Sequence, residues 1–140
     1  MNQFNFHTSN STPPRGFQLV SILQKFKDLY LLWYECYKSL PKEHRYTLGQ
    51  KIDILMTEII EAISSACFLT KGEKQFYIKI AIRKADTVKI FLLILWECKS
   101  IDNKKYLILS EKLNEIGRML GGWNGQLTKQ NSSTNQVMEK

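Results

Sequence analysis

Lys104-Lys-Tyr-Leu-Ile-Leu-Ser-Glu-Lys-Leu-Asn-Glu-Ile-Gly-Arg-Met-Leu-Gly-Gly-Trp123 is the stretch whose reading decides the fold class. Within it Tyr106, Leu109, Leu113, Ile116, Leu120 and Trp123 recur at alternating steps of three and four. That spacing places all six on one stripe of an α-helix. Gly121 and Gly122 readily adopt the positive φ that ends helices, so they predict a stop there, with Trp123 folded back over the end. A helix with a single apolar stripe is not stable alone in water. The rest of the chain must therefore supply helices that cover it.

Working outward, the upstream chain supplies three more such stripes. Leu19, Ile22, Phe26, Leu29, Trp33, Cys36 and Leu40 predict a first helix from Phe17 to about Leu40, widened on one side by Tyr30, Tyr34 and Tyr37. Pro41 suits the first position of a second helix, where its missing N–H costs nothing. That helix is expected to run to about Leu69 on Leu48, Ile52, Leu55, Ile59, Ala62, Ala66 and Leu69, with Met56, Ile60, Ile63 and Cys67 as a second row. Gly49 inside it costs roughly 1 kcal/mol relative to alanine, which points to a close helix approach. Thr70-Lys71-Gly72 breaks the chain again, and a third helix is expected from about Glu73 to Lys99. Its second half, Val88 to Cys98, is apolar almost all round and so needs cover on more than one side. A second subunit, or a central place in a monomer, would supply that cover. Ile101-Asp102-Asn103 makes the last turn, with Asp102 or Asn103 as N-cap. The fold class is all-α, an up-down-up-down four-helix bundle over residues 17–123. Residues 1–16 and 124–140 are polar and aperiodic and are expected to be disordered extensions.

The composition restricts the function. The 140 residues carry a net charge of +7 and are 44% hydrophobic, enough for one packed domain with a basic surplus. Such a surplus fits nucleic acid or another polyanion. The three cysteines, Cys36, Cys67 and Cys98, are far apart among apolar residues, so buried free thiols are expected rather than a zinc site or disulfide framework. Ile90–Trp96, the longest apolar run, is far short of the roughly 20 residues of a membrane span. The polar N-terminus lacks a signal-peptide layout, and a cytoplasmic location is expected. No histidine stands near a credible nucleophile, no glycine-rich phosphate loop appears, and Glu58 and Glu61 lack the histidine partner of di-metal bundles. The expectation is a non-enzyme with no catalytic residues, metal or cofactor.

Basic residues are the remaining candidates. The third helix holds Lys74, Lys79, Arg83, Lys84, Lys89 and Lys99 against Glu73, Asp86 and Glu97. Lys79 and Arg83 are four apart on one face, and Lys84 and Lys89 follow. Lys42 and Arg45 at the start of the second helix complete the candidate nucleic-acid set. Contacts of this kind go to phosphate, read backbone and shape, and weaken steeply with salt. A symmetric oligomer would repeat them around an axis.

Two motifs carry a family resemblance. Pro41-Lys42-x-x-Arg45-x-x-Leu48-Gly49, and Glu115-Ile116-Gly117-Arg118-Met119-Leu120-Gly121-Gly122-Trp123, resemble the accessory variability determinant (Avd) proteins of diversity-generating retroelements. The same four-helix family includes proteins encoded in intervening sequences of bacterial 23S ribosomal RNA genes. The resemblance covers about Phe17 to Trp123, and its closing motif points to Avd more than to the ribosomal group. It implies a barrel-like homopentamer with a positive surface, binding to template RNA and cDNA, and association with the retroelement's reverse transcriptase during mutagenic cDNA synthesis. It also implies that the accessory protein does no chemistry. Some members carry arginines where Leu93 and Glu97 stand here, so the positive surface would rest more on Lys79, Arg83, Lys84 and Lys89. Arg118 matches the closing motif and is a candidate partner contact, or else a structural ion pair among Glu111, Asn114 and Glu115. The rivals are an intervening-sequence-type bundle or a structural helical adaptor, both without a polymerase partner.

Overall fold

The computed structural model describes residues 16–138, with side chains given for residues 20–132 apart from residue 71. The extension expected before residue 16, and the side chain of Leu19, lie outside these described residues. The described chain is all-α: α1 Gly16–Lys38, α2 Lys42–Arg45, α3 Leu48–Cys67, α4 Lys71–Glu97 and α5 Asn103–Met138. Each long helix packs on the next in sequence, and α5 closes the ring against α1. Short connections make neighbours antiparallel. Lys25 in the first half of α1 meets Glu115, twelve residues into α5, and Lys105 near the start of α5 meets Ser39 just past the end of α1.

The stripes become the core. Ile22, Phe26, Leu29, Trp33, Cys36 and Leu40 bury from the α1 segment. Ile52, Met56, Ile59, Ala62, Ile63 and Ala66 bury from α3, and Leu109, Leu113, Ile116, Leu120 and Trp123 from α5. The α4 row is Ile78, Ala81, Ala85, Val88, Leu92 and Leu95, again at steps of three and four. Phe91 and Trp96 pack half-buried at its flanks, while Ile90 faces out. Asp102 is the N-cap of α5, accepting from the Lys105 amide at 2.8 Å.

The expected second helix is two helices. Thr47 leaves helical geometry, at φ −119° and ψ −100°. Its hydroxyl donates to the Glu43 carbonyl at 2.9 Å, giving the backbone a local alternative to the helix ladder. Arg45 reaches back to the Leu40 carbonyl at 2.9 Å, satisfying an orphan acceptor at the end of the α1 segment. The close approach expected at Gly49 is present. A Cβ there would lie 2.7 Å from Leu40 Cδ1 and 2.9 Å from the His44 carbonyl.

The predicted stop at Gly121-Gly122 is corrected. Both glycines are helical, none of the described glycines has a positive φ, and α5 runs on to Met138 in place of a tail. Leu127, the next residue in the three-and-four spacing after Trp123, is buried. Gln75 of α4 grips the same segment, donating to Asn124 Oδ1 at 3.2 Å and accepting from Asn131 Nδ2 at 2.9 Å. Tertiary contacts of this size outweigh the roughly 1 kcal/mol propensity cost of each glycine. The α4 helix ends instead on a non-glycine residue in the left-handed region, Lys99 at φ 63°. There the Ser100 amide donates to the Leu95 carbonyl and the Lys99 amide to Trp96, a Schellman closure. The buried-thiol expectation also needs correction: Cys36 is buried, Cys67 half-buried, and Cys98, at the α4 C-cap, is exposed.

Candidate nucleic-acid interface

The outward side of α4 is a second stripe. Phe76, Lys79, Arg83, Asp86 and Ile90 recur at steps of three and four, and all five are exposed. They lie opposite the buried row, so the packing that fixes the core also fixes this face. Lys79 and Arg83 are one turn apart, and neither has an ion-pair partner among the described residues. Asp86 ends the cationic part of the stripe and pairs with Lys89 at 3.4 Å.

The other candidate cations are placed elsewhere. Lys84 turns to α3, where its Nζ meets Glu58 Oε2 at 2.7 Å. Lys89 turns to α5 and lies over Gly117, where an added Cβ would come within 3.2 Å of its Nζ. Arg45 is committed to the α1 end, donating to the Lys38 carbonyl at 3.4 Å as well as to Leu40, and its Nε is buried without a hydrogen-bond partner. Lys42, exposed on α2, belongs to that same end of the bundle, far in sequence and fold from Lys79. The structure therefore brings together Lys79 and Arg83 and separates Lys84, Lys89, Lys42 and Arg45 from them. Phe76 shares the face and carries no charge, so a search for cations passes over it. The 76–79–83 spacing is the signal that marks it.

Arg118 is exposed on α5 beside Ile108, Glu111, Lys112 and Glu115, which line a shallow groove. The structural ion pair considered for it does not form. Glu115 pairs with Lys25 at 2.9 Å instead, and that hydrogen bond, with the Lys25 charge, holds the Glu115 carboxyl below its usual range. Between α1 and α5, Leu32, Glu35, Cys36, Lys105, Ile108 and Leu109 line an open apolar cavity of about 320 Å³. Burial pushes the Cys36 thiol up, which disfavours the thiolate needed for nucleophilic chemistry. Among the described residues no group of three or more His, Cys, Asp or Glu could hold a metal ion, and no helix is long and apolar enough to cross a membrane.

A family model described as bAvd-like matches residues 20–127. The chain belongs to the bAvd-like family. The matched span holds both sequence motifs, every candidate cation, and the α5 segment past the two glycines as far as Leu127. The bAvd-like bundle is also similar to a crystal structure of a protein of unknown function from the S23 ribosomal protein family of Bacteroides thetaiotaomicron VPI-5482. The TM-score is 0.71 at 18% identity, over 77% of this chain and 98% of that one. At that identity the likeness speaks for the helical fold alone. Comparison with curated proteins gives no match.

Proposed function

We propose that this bAvd-like chain is a non-enzymatic, cytoplasmic accessory subunit of a diversity-generating retroelement. It holds template RNA and cDNA by phosphate contacts and associates with the element's reverse transcriptase. The observation that carries the reading is the pair Lys79 and Arg83, exposed one turn apart on α4 with no acid paired to either among the described residues, in a chain of this family. Paired cations are already neutralised. Unpaired ones on a convex helix are free to replace counterions on a phosphate backbone. The protein assembles as a barrel-like homopentamer, which repeats the α4 face around an axis. Exposed Ile54 and Leu107, away from the α4 stripe, are apolar surface that such an assembly can cover.

The test is RNA binding by anisotropy across a salt series. Lys79→Glu with Arg83→Glu is expected to weaken binding more than tenfold and to lower the salt slope by about 2, roughly one per lost cation. Unchanged binding by the folded double variant overturns the assignment. Native mass is expected near five times the 16.4 kDa chain. Co-purification with the retroelement's reverse transcriptase separates this reading from a bundle with no polymerase partner.

A further inference from the structure

We infer that the outward stripe of α4 is a binding site for single-stranded nucleic acid, in which the Phe76 ring stacks on an unpaired base while Lys79 and Arg83 hold the adjoining phosphates. This deepens the nucleic-acid reading above and rests on it. Phe76 is 60% exposed, an unusual setting for a phenyl ring, and lies three residues before Lys79 and seven before Arg83 on one face. The three span roughly 10 Å along the helix axis. The ring is also held in place. It makes an edge-to-face contact with Tyr77, centroids 5.2 Å apart and planes at 89°, and Tyr77 is itself packed against the core. A ring positioned in this way stacks at little entropic cost.

The neighbouring charges select the occupant. A second copy of the chain docking on this stripe would draw Lys79 and Arg83 out of water with no acid beside them before Asp86. Lysine is depleted at protein interfaces, and unpaired buried charge is costly. A polyanion compensates both cations and at the same time offers flat apolar faces to the ring. Duplexes hide those faces inside the stack, whereas single strands present them, and aromatic stacking tolerates any base sequence. Phosphate contact alone gives no preference between the two forms, so the ring is what makes the site favour single strands.

The experiment uses the full chain with a 20-nucleotide poly(U) RNA and a duplex RNA of equal length. Phe76→Ala is expected to weaken poly(U) binding about tenfold, leaving the salt slope and the duplex affinity unchanged. Phe76→Trp is expected to retain binding and to give an indole fluorescence signal that poly(U) quenches. Wild-type binding that survives Phe76→Ala, or that falls equally for both RNAs, overturns the stacking site while leaving the phosphate reading intact. A change of native mass in Phe76→Ala without a change in RNA binding assigns the ring to a subunit contact and also overturns it. If the wild-type chain binds neither RNA, both readings fall.

Discussion

Lys84 Nζ lies 2.7 Å from Glu58 Oε2, joining the middles of α4 and α3, and both side chains are partly covered. This contact divides the basic residues of α4 into two kinds. Lys84 is spent on the fold, whereas Lys79 and Arg83, on the turns before it and beside it, are exposed and have no ion-pair partner among the described residues.

Lys84→Met is therefore expected to cost stability rather than RNA affinity. Removing a partly exposed pair is worth about 0.5–1 kcal/mol, readable as a lower urea midpoint. RNA affinity and its salt slope are expected to stay at wild-type values, in contrast to Lys79→Ala. An equal loss of RNA binding in the two variants would return Lys84 to the interface.

Gly49→Ala tests the close approach that follows the α2 break. The new methyl would meet the His44 carbonyl, which is backbone and cannot swing aside, as well as Leu40 Cδ1. A destabilisation of about 1–3 kcal/mol is expected, the usual range for overpacking. A urea midpoint equal to or above wild type would show that the end of the bundle relaxes freely.

Alkaline titration probes the contact between α1 and α3. Tyr30 donates to Asp53 Oδ1 at 2.9 Å, and Trp33 Nε1 donates to the same oxygen at 3.3 Å. Burial, then the hydrogen bond to Asp53 and its negative charge, push the Tyr30 phenol up to about 12. An unfolded tyrosine ionises near pH ~10. Because the folded pKa is the higher one, the stabilisation is complete below the unfolded value and is lost as pH rises through the folded one. The stability gap between wild type and Tyr30→Phe is thus expected to be constant up to about pH 10 and to shrink towards pH 12. A gap that stays constant through that window would disprove the assignment.

The continuation of α5 has its own test. Leu127 is buried, so Leu127→Ala is expected to cost at least about 2 kcal/mol. Gln75→Ala, which removes bonds to the same segment, is expected to cost less, about 1 kcal/mol. Amides between Asn124 and Gln130 are expected to resist hydrogen exchange. A chain ended at Trp123 that unfolds at the wild-type urea concentration would remove this segment from the fold.

Much of the fold was legible because burial follows a period. The α1 and α5 stripes read from the sequence are the buried rows, apart from Leu19, which lies outside the described side chains, and Tyr106, which is half-buried and stacks on Trp96 at 5.0 Å. An N-cap at Asp102 or Asn103 and a tight packing at Gly49 were legible for another reason, that each residue type has a narrow local use, and the structure assigns the cap to Asp102. The break at Thr47 was hidden because the apolar rows of α3 begin only after it. The candidate site was legible in part. Lys79 and Arg83 share a face, but charge alone gave no sign that Lys84 would turn to Glu58, Lys89 to Asp86, or Arg45 to the Leu40 carbonyl.

The sequence by itself determined that the chain forms amphipathic helices with short connections, because side-chain order along a helix sets which face is apolar before any neighbour is present. It also carried the family motifs. Only the tertiary structure decided where α5 ends and which cations remain free. Gly121 and Gly122 weaken a helix by local propensity, but whether it stops there depends on what Trp123, Leu127 and Gln75 gain by packing beyond them. Likewise a lysine's charge is fixed by its type, while its availability depends on whether another helix brings a carboxylate within reach, as α3 does for Lys84 and, among the described residues, none does for Lys79.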